Sequence, residues 1–589
     1  MARTFIADIE TNGFDPTVIH CVVCKDVGTG TIYEFRSDDR ESFIRLVTGH
    51  ELVFHNGIGF DLPALEKVWG YTHTGMITDT LVLSRLADPA QEGGHSLRNW
   101  GSMLGFEKGE HTDWSVFSEQ MLKYCVRDVE VTERVYREMM KQNLNPQAVE
   151  LEHRVAGIIK QQEINGWLFN EQAAVQLLAE LKHRMTEIEM EIHNEWKPMA
   201  KLVKEFRPKF NKNGSLSRVG LGFCDSPDSI WIDRSFDGLD TGWTSVIRWV
   251  DFNLGSRQQI AERLSLKGWQ PDRFTDKGSP IVDESTLDGV DIPEAKLINE
   301  YLLLQKRVGM MNNWLDNLKQ DGRLHGRVNT NGAITGRMTH RDPNLAQVPS
   351  SKHDKEGNLI FGSAGGYGAD MRSLFTVPSG YKLVGADAAQ LELRMLAHYM
   401  NDEEYTNEIL NGDIHSANQK AAGLDTRDKA KTFIYAFLYG AGDSKIGSIV
   451  GGSSSDGRTL KSRFLENTPA LAGLRQRVDD TVRQRGWLKG LDGRKLHIRS
   501  AHSALNTLLQ SAGAIVMKQA LVHLVDTCQL RYKLVGNIHD EIQAEVHEED
   551  AHAFGQQVVQ SIRMTEQSLG LRCPMDGDYK VGNNWSETH

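Results

Sequence analysis

Asp8-Ile9-Glu10 follows a short apolar run, Thr4–Ile9, that reads as a buried strand. Residues i and i+2 of a strand share a face, so both carboxylates project together. Paired hard oxygen donors of this kind suit one or two divalent cations. An isolated Asp-x-Glu is common on surface strands, but two further pieces accompany it. The run His55-Asn56-Gly57-Ile58-Gly59-Phe60-Asp61 places a third carboxylate behind a glycine-bearing turn, where a helix opens. Tyr124 and Asp128 are four residues apart, hence on one face of a helix.

A second acidic set lies far downstream. Leu383–Gly385 leads into Asp387, and helix-forming residues Gln390–Met400 follow, so Asp387 sits at a strand-to-helix junction with the small Ala388 beside it. Lys533–Ile538 leads into His539-Asp540-Glu541, and Ile542–Val546 alternates like a returning strand. Two strand-end aspartates could meet across a sheet and hold paired Mg²⁺ ions, although either one alone reads as a cap or turn residue. Between them, Arg427, Lys431, Tyr435 and Tyr439 recur every four residues in RDKAKTFIYAFLYG. Each step of four advances about 400° on a helix, so the face drifts by only ~40° per step. The result is a stripe of two cations and then two aromatics. Asp425 or Thr426 can cap its start, and Gly440 stands where it should end. Cations at a helix N-terminus oppose the helix dipole, which makes sense for gripping a triphosphate and little sense for stability alone.

These residues need elements to position them. In 589 residues there is room for about three to five structural units. The first ~145 residues alternate strands (Thr4–Ile9, Ile19–Lys25, Thr31–Phe35, Glu51–His55) with helices (Pro63–Trp69, Ser118–Gln142), which suits an α/β unit. Glu150 to Lys197 is strongly helical, in two stretches split near Asn165-Gly166. A basic block from Lys197 to Gly220 and an acidic one from Asp225 to Asp240 then interrupt the helices, and they read as an inserted excursion. Helix returns at Ser256–Lys267 and Pro293–Leu318, and Leu324–His340 alternates like a hairpin around Asn331-Gly332. With 67 Lys+Arg against 79 Asp+Glu, the net charge of −12 excludes a wholly basic nucleic-acid coat, so any DNA contact must use local patches. Six scattered cysteines exclude a disulfide scaffold; Cys21-Val-Val-Cys24 reads as strand residues, with zinc the alternative. MARTFIADIETNG holds no apolar signal core, no uninterrupted apolar run reaches the ~18 residues of a membrane span, and the expected compartment is a reducing cytoplasm.

Asp8, Glu10, Asp61 and Asp128, in this order and context, resemble the DEDD group of proofreading 3′→5′ exonucleases in its tyrosine variant. DAAQLELR from Asp387, RDKAKTFIYAFLYG from Arg427 and HDE from His539 resemble the three motifs of family A (Pol I-like) DNA polymerases. The strings VFHNG, DTLVLSRL, EILNGDIH, GLDGRK and ALNTLLQSAGA are similar to the replicative polymerases of short-tailed T-odd bacteriophages.

The resemblance implies an α/β and α+β multidomain fold: a ribonuclease H-like exonuclease domain (1–145), a thumb (146–320) with an insertion at about 197–250, and a palm (321–400 and 501–589) split by fingers (401–500). It also implies Mg²⁺ at both sites, two ions each, with Mn²⁺ able to substitute. Asp8, Glu10 and Asp128 would be the main exonuclease ligands, Asp61 a second-metal or water-mediated ligand, and Tyr124 the group that orients the attacking water. Asp387, Asp540 and the Ala388 carbonyl would hold the polymerase metals, with Glu541 in support. His415, Arg427 and Lys431 would hold the triphosphate, Tyr435 would stack beside sugar and base with Tyr439 following on the stripe, and Glu392 would exclude a 2′-hydroxyl. Arg337, Asn506 and Gln510 would touch the primer–template minor groove, and His539 the primer end. The commonest family pattern begins DYSQ where this chain reads DAAQ, nearer the phage variant.

The expected function is therefore template-directed DNA synthesis with proofreading, replicating phage DNA in the cytoplasm of an infected bacterium. Expected partners are primer–template DNA, dNTPs, a helicase-primase and a processivity factor on the insertion, host thioredoxin being one candidate, with no membrane involved. A repair polymerase is the nearest alternative, and the absence of room for a 5′-nuclease before Asp8 argues against it. A catalytically dead scaffold should have lost metal carboxylates, and a standalone nuclease leaves the Arg427–Tyr439 stripe unexplained.

Overall fold

A computed structural model describes residues 2–206, 212–213, 229–236 and 239–589. The chain forms two compact units. One comprises Met1–Phe169, Asn317–Ser350 and Arg372–His589; the other comprises Asn170–Asp316 and Ser351–Met371.

The first unit opens with a five-stranded sheet in the order Ile32–Arg36, Ile19–Asp26, Thr4–Thr11, Glu51–Phe54, Ile77–Asp79. Ile19–Asp26 runs antiparallel to both Thr4–Thr11 and Ile32–Arg36, while Glu51–Phe54 pairs parallel with Thr4–Thr11 and Ile77–Asp79 parallel with Glu51–Phe54. Thr4–Thr11 is buried almost throughout because both of its faces are covered. Phe5, Ala7 and Ile9 pack into one cluster, and Ile6 into another that includes Met121, Cys125 and Val129 of helix Glu119–Lys141. Cys21 and Cys24 fall on these opposite faces, both buried, so the CxxC pair is strand interior and does not form a chelating pair.

A second sheet in this unit has four antiparallel strands in the order Tyr532–Ile538, Glu541–His547, Tyr381–Ala388, Gly577–Gly582. Helices Ala504–Thr527 and Ala551–Leu569 contribute to its core. Ala504–Thr527 is long and apolar enough to cross a membrane by composition, yet most of its apolar stretch is buried here. A helix that is hydrophobic on all sides is what an interior position requires. Eight helices, from Leu391–Met400 to Ala504–Thr527, lie between the sheet's first two strands in sequence.

The hairpin expected around Asn331-Gly332 is wider than a two-residue turn. Arg327–Asn329 pairs with Thr339–Arg341 across a loop that carries Thr335-Gly336-Arg337. Asn331 lies buried in a turn at the start of that loop, not at an exposed tip.

The compact units also do not part at the expected boundary of 145/146. Helix Pro146–Asn165 belongs to the first unit, because Leu151, Val155 and Ile159 are buried in the same core as the four-stranded sheet. Residues 351–371 join the second unit and leave the expected first palm segment.

In the second unit, helices Glu171–Glu195 and Pro293–Asn317 are tied by Arg184, which donates to both Glu300 oxygens at 2.8 and 2.9 Å. Between helices Glu171–Glu195 and Arg257–Leu266 lies an antiparallel sheet in the order Met199–Phe206, Leu239–Val250, Ser229–Phe236. The sign-segregated segment therefore carries strands inside a helical unit. Arg207, Lys209 and Arg218 of its basic block, and Asp225, Asp228 and Asp237 of its acidic block, lie outside the described residues.

Candidate active sites

Strand alternation puts Asp8 and Glu10 on the same face as Ile6, toward helix Glu119–Lys141. That helix brings Asp128 to the cluster, and the turn at residues 55–60 brings Asp61. Asp79 caps helix Thr80–Ala87 and also accepts from Asn56 N–H at 2.8 Å and Ile58 N–H at 3.1 Å, which holds the turn in place. Gly57 is required there, since a Cβ would lie 2.3 Å from the Phe54 Cβ. Glu10, Asp61 and Asp128 are buried, and Asp8 is half-buried.

Crowding makes these carboxylates reluctant to ionise. Burial and then Asp128 push Glu10 up to about 9. Burial and then Asp79 push Asp61 up to about 7. Asp8 is raised by burial and by its three carboxylate neighbours, and Asp128 by burial against the pull of Lys108. A buried anionic cluster of hard oxygens is what a divalent cation relieves, so these residues fit the implied ions. Asp128 Oδ1 is buried with no hydrogen-bond partner, a further acceptor left open. Tyr124 lies with them on the wall of a cavity of about 520 Å³.

Three residues here, Cys125, Lys108 and Asp79, were not anticipated. Cys125 Sγ lies 3.5 Å from Asp8 Oδ2, and ligand atoms of Asp8, Glu10 and Cys125 lie within 4.8 Å of one another. Lys108 Nζ lies 2.6 Å from Asp128 Oδ2. Asp79 could have been found by its capping position before an apolar helix; Lys108 carries no local signal.

The four-stranded sheet builds the second site. Asp387 ends its strand in register with Glu541 on one neighbour and with Asp578, also unanticipated, on the other. Asp540 sits in the turn after His539, whose left-handed backbone (φ 59°) closes the hairpin. The Ala388 N–H donates to the Asp540 carbonyl at 3.3 Å, which locks the two aspartate-bearing segments together. Asp387 is open to solvent, yet the surrounding protein, Asp540 and Glu541 push it up to about 8; Asp540 is raised by burial and then by Glu392. This pair fits a cation on the same grounds as the first cluster.

Glu541 differs from its expected supporting role in one respect: both its oxygens are already engaged. Trp585 Nε1 donates to Oε1 at 2.7 Å, Gln543 Nε2 donates to the same oxygen, and His589 Nδ1 lies 2.8 Å from Oε2. Burial works against its charge, but His589 and Arg372 outweigh it and keep it ionised. Gly385 permits this packing, because a Cβ there would lie 2.4 Å from the Thr588 carbonyl. Glu541 thus acts as a fixed buried anion beside the aspartates.

The expected stripe forms on helix Arg427–Leu438, capped by Thr426, whose hydroxyl accepts from Lys429 N–H; Tyr439 is its C-cap. Tyr435 and Tyr439 stack at 6.4 Å, and the His415 ring is 6.2 Å from Tyr435. Burial, Arg427 and Lys431 hold His415 below its ordinary range, so His415 shares one neighbourhood with these cations. Asp413 receives Arg427 bidentately, at 2.7 and 3.1 Å. Glu392 Oε1 accepts from Tyr439 Oη at 3.1 Å and from Arg337 Nη2 at 3.3 Å, joining the stripe to the Thr335-Gly336-Arg337 loop. Asn506 and Gln510 lie half-buried one turn apart near the start of helix Ala504–Thr527, and His539 is exposed.

Comparison with known proteins bears on the family. Residues 233–587 match the model of DNA polymerase family A. Over 99% of its length the chain is 36% identical to the DNA-directed DNA polymerase of Enterobacteria phage T3 and 35% identical to that of Escherichia phage T7, covering 100% of each. It is 27% identical to DNA polymerase I of Pseudomonas aeruginosa, over 58% of this chain and 39% of that one. The fold is similar to the polymerase domain of Pol1 from M. smegmatis, solved with primer-template DNA and dNTP (TM-score 0.78, 18% identity, covering 100% of this chain and 96% of that one). The chain belongs to DNA polymerase family A and is a DNA-directed DNA polymerase.

Proposed function

We propose that this polymerase replicates phage DNA with its own 3′→5′ proofreading, in the cytoplasm of an infected bacterium and alongside a helicase-primase. The observation that carries this reading is the presence of two separate carboxylate clusters, each built on its own sheet. The strand order of the first sheet, three antiparallel strands extended by two parallel ones, supports a ribonuclease H-like exonuclease. Paired Mg²⁺ ions at each site would supply Lewis-acid stabilisation of the phosphoryl group and activate the attacking hydroxyl or water.

The chain's own residues do the rest. Arg427, Lys431 and His415 bind the triphosphate, and Arg427 exchanges Asp413 for it. Glu392, held by Arg337 and Tyr439, blocks the space of a 2′-hydroxyl. Asn506, Gln510 and His539 contact the primer–template. In the first cluster, Tyr124 orients water beside Asp8, Glu10, Asp61 and Asp128. A primer with a mismatched 3′ end tests the reading: the terminal nucleotide should be excised before extension. Extension that retains the mismatch defeats the proofreading assignment.

Tyr435 should set tolerance for a missing 3′-hydroxyl, because its phenolic oxygen supplies the polar contact that a dideoxynucleotide lacks. Tyr435→Phe should lower dideoxynucleotide incorporation relative to normal nucleotides by about 10- to 100-fold, the worth of one hydrogen bond to a charged group. Single-nucleotide competition measures this ratio, and an equal ratio in both proteins defeats the role.

The strands within 199–250 form a processivity device that takes a protein partner, host thioredoxin among the candidates. Leu202 and Trp249 are exposed on them, which favours a covered apolar surface. The basic block would hold duplex phosphates in a salt-sensitive way. Replacing Lys201–Arg248 with a short Gly/Ser linker should leave single-nucleotide insertion nearly intact and shorten the products made per binding event. Product lengths under a heparin trap at raised salt are the measurement, and an unchanged distribution defeats the assignment.

A further inference from the structure

Lys108 stands between helices Leu97–Met103 and Glu119–Lys141, on a segment without regular secondary structure. Contacts that do not involve the carboxylates hold this segment in place. Phe106 N–H donates to the Gly101 carbonyl at 2.8 Å, and the guanidinium carbons of Arg127 and Arg134 lie 3.3 and 3.8 Å from the Phe106 ring centroid. Arg127 Nε donates to the Glu107 carbonyl at 2.8 Å. On the other side, a Cβ on Gly109 would lie 3.2 Å from the Tyr124 ring. The docked segment delivers the Lys108 ammonium 2.6 Å from Asp128 Oδ2 and 5.0 Å from the Tyr124 ring centroid. Among the described cations lining this cavity, it is the one ion-paired with a residue of the acidic cluster. Asp128 thus has one oxygen on an ammonium and the other buried and bare.

We propose that Lys108 is a built-in counter-cation of the nuclease site, which holds Asp128 in the metal-free protein and must leave it when a divalent ion binds. The proposal rests on the nuclease reading above. An ammonium on one oxygen of a buried carboxylate and a divalent cation on the other repel each other strongly where the dielectric is low. Metal entry therefore exchanges one cation for the other, and the measured affinity is net of a lost ion pair. As a consequence, the nuclease site binds divalent ions more weakly than the same carboxylates would without Lys108.

The test is Mn²⁺ binding, read from the paramagnetic resonance signal of the free ion, in full-length protein carrying Asp387→Ala and Asp540→Ala so that the polymerase site does not contribute. Lys108→Gln should bind Mn²⁺ about tenfold more tightly, on the order of one partly buried ion pair, and Lys108→Arg should bind it like the parent. A lysine with a merely structural role would give weaker binding on removal. Unchanged or weaker binding by folded Lys108→Gln overturns the assignment, as does a Lys108→Arg variant that behaves like Lys108→Gln. Lys108→Met repeats the measurement should the Gln variant not fold. Adding Asp8→Ala and Glu10→Ala must abolish the remaining Mn²⁺ binding; retention would overturn both the assignment and the nuclease reading. If that double substitution removes single-strand hydrolysis while Lys108→Gln leaves affinity unchanged, the Lys108 assignment alone fails.

Discussion

Asp387→Ala or Asp540→Ala should lower dNTP incorporation by roughly a thousandfold or more, since on the proposed reading each removes a metal ligand on which several kcal/mol of transition-state stabilisation depend. Degradation of single-stranded DNA should continue in both variants. Asp8→Ala with Glu10→Ala should do the reverse, because the two clusters stand on different sheets and share no residue. One labelled primer, followed for extension and for shortening, decides between these outcomes. Loss of both activities in every folded variant would sink the two-site reading. The nuclease substitutions should also leave the unfolding temperature of the metal-free protein unchanged or higher. Glu10 and its neighbours are buried carboxylates held far above their ordinary range, so removing two of them relieves repulsion.

Glu152→Ala should be among the most destabilising single changes, costing about 3–5 kcal/mol, as expected when one partner of a buried ion network is removed. Glu152, Lys518, Arg494 and Asp492 form a buried group of two anions and two cations. Lys518 Nζ donates to Glu152 at 2.6 Å, Arg494 Nη2 lies 2.7 Å from the same oxygen, and Arg494 also grips Asp492. Without Glu152, two buried cations would share Asp492. Lys518→Met should cost less, because burial already holds that ammonium down at about 8, so its loss leaves a smaller imbalance. The midpoints of thermal and urea unfolding measure both variants, and a larger loss in Lys518→Met would contradict this account. The network joins helix Pro146–Asn165 to helix Ala504–Thr527 and to the loop between strands Trp487–Lys489 and Lys495–His497, which is why that first helix belongs to the core of the first unit.

How much of this was legible beforehand follows from the range of the forces involved. Asp8 and Glu10 were readable as a pair because strand alternation is local, and Arg427, Lys431 and Tyr435 as a stripe because helical periodicity is local. Asp387 and Asp540 were readable as strand-end residues, since turn residues and apolar runs mark strand ends within a few positions. The hairpin around Asn331-Gly332 was readable from its flanking alternation, but the width of its loop was not, because that depends on what the loop packs against.

By itself, the sequence determined the candidate side chains and the short elements that present them, because backbone geometry sets both over four to eight residues. Only the tertiary structure decided that Lys108 pairs with Asp128, that Cys125 lies against Asp8, that Asp578 stands opposite Asp387, and that Glu541 is held by Trp585 and His589. It alone placed Glu152 on Lys518, 366 residues away. These partners are set by burial, where a low dielectric makes an unpaired charge too costly to leave, and burial depends on packing between segments that no local pattern encodes.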